Sequence, residues 1–334
     1  MRNKVYTLLD TSPMKEKSSQ NPKILWKEAS NRNFDSLVSA LGGHPLQTGA
    51  WGNAREKVDD IEQIKLVAQV KGEIIAAARV EIRRIPLVGK IAWIPKGPVF
   101  DKIVPLDALM HSLALELGQR KFVAYAFNPW TKIDGSSNSE QTIQIDLKIS
   151  KDKLLENVDS KARYSIRKAY RDGVEISLSK SKDDLSNFFN LCLKVSKKKG
   201  FTLPGSEELI ATLLKSYSQQ VEVHFFVAYL KGDLVGGAVL MKSGRNTHYL
   251  WGAVDRNFSK YNIGQAIQWR MIEWSKDQKC VLYDMEGINP QKDPGTYNFK
   301  RKMGGEIIHL MPLQVCGLSL FGCLIAPLVK LKVK

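Results

Sequence analysis

Apolar and polar positions alternate in a pattern that occurs twice along the 334-residue chain. Residues 67–78 (VAQVKGEIIAAA) align without a gap with residues 227–238 (VAYLKGDLVGGA), and five of the twelve positions are identical. Each copy has two apolar runs joined by Lys-Gly and an acidic residue, which is the pattern of a β-hairpin. A repeat at an offset of 160 residues predicts two copies of one structural unit.

The segments around each hairpin extend the predicted sheet and cover it with helices. Short apolar strands are predicted at residues 90–94 and 247–251, one in each unit. Apolar side chains recur with helical periodicity in residues 106–117, 182–197 and 263–276. Strands mixed with helices in both halves predict an α/β (α+β) fold in which a mixed central sheet in each unit is covered by helices.

Length and local composition predict two domains. The 334 residues exceed the size at which a single core usually stops growing. We expect a polar segment over residues 1–22, a first domain over 23–145, a second domain over 146–312 and an apolar, basic tail over 313–334. The run from 130 to 141 is rich in Gly, Ser and Asn and predicts a loop near the junction.

The tail contains an apolar run that bears on membrane contact. Residues 315–329 are uncharged and are followed by Lys330, Lys332 and Lys334. The run is shorter than the roughly 20 residues that cross a bilayer. A buried terminal element, an interfacial anchor with a basic flank and a membrane span therefore all stay open. The polar N-terminus contains no apolar stretch typical of secretory signals, which predicts a cytoplasmic protein.

Basic residues are in excess and are spread along the sequence. Fifty Lys and Arg against 34 Asp and Glu give a net charge of +16. Such a surface favours binding of a phosphate-rich partner, although a generally basic proteome would produce the same excess. Charge alone does not separate these two explanations.

Cysteine and histidine positions argue against metal and covalent chemistry. The four cysteines include no Cys-x-x-Cys pair, and the five histidines are dispersed without the spacing of a metal site. No Ser-His-Asp order is present either. We therefore expect no metal and no covalent intermediate.

Six short motifs occur in an order and spacing that resemble the FemABX peptidyltransferases, which consist of two tandem GNAT-like units. They are residues 44–51 (HPLQTGAW) with Arg55, 96–99 (KGPV), 142–147 (TIQIDL), 161–174 (KARYSIRKAYRDGV), 283–288 (YDMEGI), and Phe299-Lys300 with Gly304-Gly305. The similarity covers about residues 23–312. Only about thirty residues separate Asn190 from Val221, so the long helical hairpin of FemA-like members is absent and a FemX-like architecture fits better.

The resemblance implies a monomeric aminoacyltransferase that forms cell-wall interpeptide bridges. It would move an aminoacyl group from tRNA to an amine of the stem peptide of a peptidoglycan precursor, either UDP-linked or lipid-linked. Aminoacyl-tRNA would be the co-substrate and no cofactor would be needed. Peripheral contact with the inner face of the cytoplasmic membrane fits the apolar tail. Because the ester is already activated, direct attack by the amine needs mainly positioning and charge stabilisation.

Two other functions stay open at this point. A GNAT N-acyltransferase that uses acyl-CoA on a cell-envelope amine would hold the pyrophosphate in a Gln/Arg-x-x-Gly-x-Gly/Ala loop at a helix N-terminus. Only Gly264 and Ala266 of that loop are kept in this sequence, and Tyr261 stands at the Gln/Arg position. A non-catalytic binder of nucleic acid or of a membrane surface would also explain the charge.

Two residues are the candidate catalytic groups. The resemblance implies that Lys300 stabilises the oxyanion formed during transfer or holds the end of the tRNA, and a fixed cation at a developing oxyanion favours the transition state. A surface lysine without such a role is the alternative. Asp284 is expected to accept the proton of the incoming amine, with a purely structural carboxylate as the competing interpretation.

The remaining candidates are expected to bind substrate. Tyr249 and Trp251 occupy alternate positions, so we expect them on one face of a strand, where they either contact substrate or pack in the core. Arg163 and Arg167 are four residues apart on the predicted basic helix and form a stripe for phosphates or a solvated face. The other candidates are Arg55 and Lys96, which with Arg163 would bind a precursor pyrophosphate, and Tyr283 and Phe299 from the motifs.

Overall fold

The computed structural model describes residues 23–101, 103–134, 139–200, 203, 205–216, 218 and 220–332, so the predicted polar segment 1–22 lies outside the described residues. The strands are β1 (Leu25–Glu28), β2 (Gln63–Val70), β3 (Glu73–Ile85), β4 (Gly89–Ile94), β5 (Val99–Phe100), β6 (Phe122–Phe127), β7 (Glu140–Asp146), β8 (Glu175–Leu178), β9 (Val221–Leu230), β10 (Asp233–Ser243), β11 (Asn246–Val254), β12 (Leu282–Ile288), β13 (Glu306–Leu310) and β14 (Gln314–Gly317). The helices are α1 (Asn31–Ala40), α2 (Gly49–Asp59), α3 (Leu106–Gln119), α4 (Lys151–Asn157), α5 (Ser160–Arg171), α6 (Lys182–Lys199), α7 (Glu207–Lys215), α8 (Ile263–Asp277), α9 (Pro294–Arg301) and α10 (Leu320–Lys332).

Both sheets are built around one parallel pair of strands. The first sheet runs β1-β2-β3-β4-β6-β14, with β5 beside β3, and the second runs β13-β7-β12-β11-β10-β9-β8. In the first sheet β4 is parallel to β6 and α3 lies between them in the chain; in the second, β11 is parallel to β12 and α8 lies between them. The internal repeat is therefore confirmed, and the chain has the expected fold of two tandem GNAT-like domains, each with a mixed central sheet covered by helices.

The two aligned hairpins turn at the same dipeptide. Lys71 and Gly72 have φ angles of 50° and 91°, and Lys231 and Gly232 have φ angles of 55° and 89°. Two successive positive φ angles give a mirror-image turn whose twist matches that of the flanking strands, and glycine adopts the second angle without strain. The Lys-Gly pair that marks the repeat in the sequence is thus the turn of each hairpin.

The four predicted helices are found at the expected positions, as α3, α5, α6 and α8. The basic helix α5 begins where the Asp159 side chain accepts the backbone N–H groups of Lys161 and Ala162. It ends before Gly173, whose φ of 89° is typical of the glycine that often follows a helix. Local signals in the sequence were therefore sufficient for these boundaries.

Buried side chains form a cluster on each face of the second sheet. One cluster lies under α5 and α8, and the other lies under α6 and α7. The second of these also contains Trp51 and Ala54 of α2, which belongs to the first domain. A further cluster packs α3 on the first sheet. The two domains therefore bury apolar surface against each other, which holds α2 next to the second sheet.

One strand at the domain junction and one strand in the tail lie outside the domains in which we expected them. β7 pairs with β12 and β13, so residues 140–145, which we expected in the first domain, lie in the second sheet. Ile143 and Ile145 are buried in the core of that sheet, which explains the placement. β14 lies in the predicted tail 313–334 but pairs with β6 of the first sheet. The tail is therefore part of the first domain.

The tail ends in a helix that packs through one narrow side. A Cβ atom at Gly322 would lie 1.8 Å from the carbonyl oxygen of Val123, so glycine is required for α10 to approach β6 this closely. Val329 is buried, whereas the large apolar side chains exposed on α10 are Leu320, Phe321, Leu324 and Leu328. In the part of the chain that the structure describes, no helix combines the length and apolar character needed to cross a bilayer.

Candidate active site

Strands β11 and β12 separate within the second sheet and open a pocket. Their parallel pairing runs from Asn246 and Leu282 to His248 and Asp284. Beyond that point the register of β11 against β10 shifts, and β12 bulges away from β7. A pocket of about 810 Å³ lies there, lined by residues of α6, β11, α8, β12 and α9. The irregular backbone of two neighbouring strands therefore creates the site.

Lys300 on α9 lines this pocket and is held by the bulge of β12. Its Nζ donates to the carbonyl oxygens of Glu286 at 3.1 Å and Gly287 at 2.9 Å, and it lies 5.6 Å from the centre of the Tyr249 ring. Only 6% of the residue is exposed. An ammonium group has three N–H donors. Among the contacts of the described residues, two donors are used by these carbonyl groups, and the third is available to a ligand in the pocket.

The charge of Lys300 is sensitive to pH just above neutrality. Burial lowers the pKa of this side chain from its ordinary value to about 8, while the negative charges of Glu286, Asp284 and Asp293 prevent a larger decrease. At neutral pH the side chain is therefore mostly a cation. Its proton is held less firmly than that of an exposed lysine.

Aromatic side chains form the walls of the pocket. Trp251 stacks on Trp51 of α2, with ring centres 5.8 Å apart and an angle of 15° between the planes. Tyr249 and Phe299 also line the pocket. Our expectation that Tyr249 and Trp251 share one face of the strand was wrong, because a register shift makes Leu250 an extra residue. Tyr249 packs with the cluster under α5 and α8, and Trp251 with the cluster under α6 and α7.

Two cations at the pocket were missed by the sequence analysis. Lys199, at the end of α6, donates to Asp293 at 2.8 Å, and the exposed Arg256 lies in the 3-10 turn between β11 and α8. With Lys300 they give the pocket three basic side chains, which suits a ligand that carries phosphate. The position of Arg256 directly after β11 and before α8 was the one available signal, since loops at the ends of strands often carry binding residues.

Asp284 lies beneath the sheet surface and does not line the pocket. It is fully buried and accepts hydrogen bonds from the Thr142 hydroxyl, from Gln144 Nε2 and Trp130 Nε1 at 2.9 Å each, and from the backbone N–H of Glu286 at 2.7 Å. Burial, and then the charge of Glu286, raise the pKa of Asp284. Three of these donors connect β12 to β7 and to the loop at residue 130, and the fourth belongs to β12 itself. The contacts favour the structural interpretation of Asp284 over the catalytic one.

Tyr283 and Arg163 also make contacts within the protein. Tyr283 is fully buried, and its hydroxyl donates to Gln268 Oε1 at 2.7 Å, so it packs in the core and not in the pocket. Arg163 Nη1 caps the end of α4, where the last carbonyl groups of a helix carry partial negative charge. The carbonyl oxygens that accept from it are those of Leu155 at 3.3 Å, Glu156 at 2.7 Å and Val158 at 2.7 Å.

Three further basic candidates lie outside the residues that line the pocket. Arg55 pairs with Asp59 at 2.5 Å on α2. Lys96 Nζ lies 3.2 Å from Glu140 and 4.3 Å from the centre of the Trp130 ring. Arg167 is exposed on α5. Of the sequence candidates, the structure therefore brings together in the pocket Lys300, Tyr249, Trp251 and Phe299.

Two histidines that are distant in the sequence meet at one carboxylate. His44 Nε2 and His248 Nδ1 each lie 2.8 Å from Oε1 of Glu286. The His44 ring also lies 4.9 Å from the Trp130 ring and 4.6 Å from the His248 ring. Because 242 positions separate His44 from Glu286, no spacing in the sequence indicated this cluster.

The three side chains could in principle hold a metal ion, since their ligand atoms lie within 4.8 Å of one another. However, the backbone N–H of Leu46 donates to His44 Nδ1 at 3.1 Å. This contact places the ring proton of His44 on Nε2, so that nitrogen donates to the carboxylate and has no lone pair for a metal. Burial lowers the pKa of His44 to about 4, which keeps the ring neutral. The cluster is better described as a carboxylate that accepts from two imidazoles.

Comparisons with known proteins agree with the two-domain GNAT-like fold. The acetyltransferase (GNAT) domain family matches residues 157–301. A UDP-N-acetylmuramoylpentapeptide-lysine N(6)-alanyltransferase of Weissella viridescens is 28% identical over 310 residues, which are 82% of this chain and 88% of that protein. A lipid II:glycine glycyltransferase of Staphylococcus saprophyticus is 29% identical over 79 residues, 22% of this chain and 19% of that protein. The crystal structure of FemX superposes with a TM-score of 0.75 at 16% identity, covering 93% of this chain and 100% of that chain.

Proposed function

The chain belongs to the FemABX family of aminoacyltransferases, and from this premise we propose that it transfers an aminoacyl group from aminoacyl-tRNA to an amine of the stem peptide of a peptidoglycan precursor. The observation that carries the proposal is the Lys300 ammonium, which lines a pocket with a donor available to a ligand. The acceptor class follows from the relatives, whose names specify UDP-N-acetylmuramoylpentapeptide-lysine and lipid II.

The proposed reaction needs no covalent enzyme intermediate. The acceptor amine attacks the carbonyl carbon of the aminoacyl ester and forms a tetrahedral oxyanion. Collapse of this species breaks the bond to the ribose oxygen, and the proton lost by the amine ends on the released ribose hydroxyl. Lys300 stabilises the oxyanion with its third N–H donor, while the aromatic walls exclude water and orient the ester.

We assign tRNA contact to the exposed face of α5 together with the pocket cations. Lys161, Arg167 and Arg171 are exposed on that helix, and the Tyr164 side chain between them is 58% exposed. Arg167 and Arg171 are four residues apart on the helix, so their like charges repel one another, and a phosphate backbone relieves the repulsion. The basic side chains exposed on this face suit contact with phosphates and not recognition of individual bases.

Replacing Arg167 with glutamate is expected to weaken tRNA binding. The plot of log affinity against log salt concentration should also become less steep, by about 1 unit of slope for each phosphate that the variant no longer neutralises. Fluorescence anisotropy with labelled tRNA at several salt concentrations measures both quantities. Arg84→Glu is the matched control, since Arg84 is exposed on the first domain and pairs with Glu62. If both variants weaken tRNA binding equally, α5 is a solvated face and not a specific tRNA contact.

The alternative donor, an acyl-CoA, fits the pocket less well. The pyrophosphate of CoA would need the N-terminus of α8, which begins at Ile263. A Cβ atom at Gly264 would lie 3.3 Å from the Phe299 ring, so this ring already covers the first turn of that helix. The space in which a diphosphate would approach the backbone is therefore partly filled by an aromatic side chain.

The donor and the acceptor are tested in one experiment. The protein is incubated with charged total tRNA and with either the UDP-linked or the lipid-linked precursor, and the stem peptide is analysed by mass spectrometry. We expect a mass increase of one aminoacyl residue that depends on charged tRNA. Release of free CoA from acetyl-CoA with an amine acceptor, without any tRNA-dependent transfer, would overturn the proposal in favour of the acyl-CoA reaction.

We also propose that the protein binds peripherally to an anionic membrane surface through α10. Four large apolar side chains, Leu320, Phe321, Leu324 and Leu328, are exposed on this helix, and Lys330 follows them. An exposed apolar helix face next to basic residues is typical of interfacial helices. Such contact would favour a lipid-linked precursor, whose stem peptide is presented at the bilayer surface.

Replacing Leu324 with aspartate is expected to lower affinity for anionic vesicles at least about 10-fold, because burial of one leucine contributes roughly 1.5–3 kcal/mol. Co-sedimentation with phosphatidylglycerol-containing vesicles measures the effect. Leu178→Asp is the control, since Leu178 is an exposed leucine on the edge strand β8 of the other domain. Unchanged vesicle binding by the Leu324 variant would contradict the proposal, as would a concentration-dependent dimer of the wild type that buries this face.

A further inference from the structure

The pocket lysine is connected to the first domain through the carboxylate of Glu286. We infer that His44 and His248 are positioning residues for Lys300: they fix the Glu286 side chain and, through it, the bulged backbone that holds the ammonium. The inference rests on the proposed function, since it concerns how the cation of that reaction is oriented. Neither histidine lines the pocket, so both act through Glu286.

Glu286 has a backbone conformation that a glutamate rarely adopts. Its φ angle is 61°, in the left-handed region where a side chain beyond glycine is sterically unfavourable. This conformation interrupts the pairing of β12 with β7 between Asp284 and Gly287. The carbonyl groups of Glu286 and Gly287 then face Lys300 Nζ. The position of the ammonium therefore depends on an unfavourable φ angle that other contacts must maintain.

Contacts at both ends of Glu286 maintain this conformation. Its carboxylate accepts from His44 Nε2 and His248 Nδ1 at 2.8 Å each, and its backbone N–H donates to Asp284 Oδ1 at 2.7 Å. The side chain is thus fixed by two imidazoles and the backbone by a third group. An ionised carboxylate only accepts hydrogen bonds, so both ring nitrogens are donors.

His44 is itself held in one orientation by the first domain. It lies before the 3-10 turn at residues 45–47, is 1% exposed and accepts the Leu46 N–H on Nδ1. The Trp130 ring packs edge-on against it at 4.9 Å. His44 is therefore positioned by the first domain and contacts Glu286, which belongs to the second domain. The second domain alone lacks one of the two donors to Glu286.

The same carboxylate also acts on the charge of Lys300. Burial lowers the pKa of Lys300, and the negative charge of Glu286 opposes that decrease more than any other group. The charged groups that face the ammonium are Glu286, Asp284, Asp293 and Lys199. Removing the Glu286 charge while keeping its oxygen should therefore shift the ionisation of Lys300 without releasing the backbone.

Three substitutions at Glu286 separate these effects. Glu286→Ala removes both the imidazole contacts and the support for the positive φ angle, and we expect kcat to fall about 10-fold or more while KM for tRNA stays within about twofold. Glu286→Gly removes the same hydrogen bonds but adopts the φ angle freely, so its kcat should exceed that of the alanine variant. Glu286→Gln keeps an acceptor oxygen, so its kcat at low pH should stay near that of the wild type, with the alkaline limb moved to lower pH.

Histidine variants test the link to the first domain. His44→Gln and His248→Gln should each lower kcat, with similar effects, whereas His224→Gln should not, because His224 pairs with Glu222 at 3.1 Å on β9, away from Lys300. If kcat is unchanged in both cluster variants, or if glycine and alanine at position 286 are equally active, the inference fails.

A second readout does not depend on transfer. The rate at which Lys300 reacts with acetic anhydride, followed by mass spectrometry against pH, reports the pKa of its ammonium group directly. We expect this titration to move to lower pH in Glu286→Gln and not in His224→Gln. If the pKa of Lys300 is unchanged in Glu286→Gln, the inference fails even if the enzyme is active. If this pKa shifts but the wild type shows no transfer, the positioning role stands and the proposed function is contradicted instead.

Discussion

Replacing Lys300 with methionine is expected to lower kcat for aminoacyl transfer about 100- to 1000-fold, the effect of removing one donor from an oxyanion site. Methionine keeps the length and apolar stem of the side chain but has no N–H donor. Binding of tRNA should stay largely intact, because most of the contacts we assign to it lie on α5. Single-turnover transfer and tRNA binding, measured on the same preparation, separate these quantities.

The matched control for this substitution is Lys276→Met. Lys276 Nζ also donates to a backbone carbonyl, that of Leu147 at 2.7 Å, but it does not line the pocket. A similar loss of transfer in both variants would show that the lysine-to-methionine change acts through folding. Full transfer by the Lys300 variant would contradict the role of Lys300 in stabilising the oxyanion.

The wild-type enzyme is expected to lose activity as the pH rises through about 8, where Lys300 gives up its proton. The same ionisation affects stability in the opposite direction. Between pH 8 and the ordinary lysine value of 10.5 the unfolded chain binds more protons at this residue than the folded chain, so the free energy of unfolding rises with pH over that range. Lys300→Met should remove this contribution to the pH dependence of unfolding.

Replacing Trp51 with alanine is expected to reduce the free energy of unfolding by about 3–5 kcal/mol, the usual cost of truncating a buried tryptophan. Trp51 is 5% exposed and stacks on Trp251, so its removal leaves a cavity between α2 and the second sheet. Urea denaturation measures the loss. Transfer should also fall, because Trp251 loses the ring that fixes it as a wall of the pocket.

Trp93→Ala is the comparison for this second substitution. Trp93 is only partly buried on β4 of the first sheet and belongs to none of the clusters that join the domains. We expect a smaller loss of stability and no direct effect on the pocket. A loss below about 1 kcal/mol for Trp51→Ala, or equal losses in both variants, would mean that the tryptophan stack does not hold the domains together.

Local sequence patterns predicted the two hairpins and four of the helices, but not which sheet each strand joins. The hairpins at Lys71-Gly72 and Lys231-Gly232 and the helix that ends before Gly173 depend on residues close together in the chain, so alternation, turn residues and caps identified them. The pairing of β7 with β12 and of β14 with β6 is non-local. Alternation identifies a strand but does not say which sheet edge completes it.

The candidate site was predicted only in part, because local patterns identify single residues but not the non-local contacts that bring them together. Lys300 and Phe299 were found through a motif, and Tyr249 and Trp251 through a strand, and all four line the pocket. The extra residue in β11 at position 250 could not be read from an apolar pattern, because a bulge changes the face of the residues that follow it. The sequence predicted that Arg163 contacts phosphate, but in the structure its guanidinium donates to carbonyl groups at the end of α4.

The central claim is that the aminoacyl ester is attacked in the pocket between the separated strands β11 and β12, beside Lys300. A crystal structure with an amide-linked analogue of the aminoacyl-adenosine end of tRNA tests this claim most directly. We predict that the carbonyl oxygen of the analogue lies about 3 Å from Lys300 Nζ, within hydrogen-bond distance, with Tyr249 and Phe299 beside the adenosine or the aminoacyl side chain. An analogue bound away from this pocket, in a protein that transfers aminoacyl groups, would contradict the account.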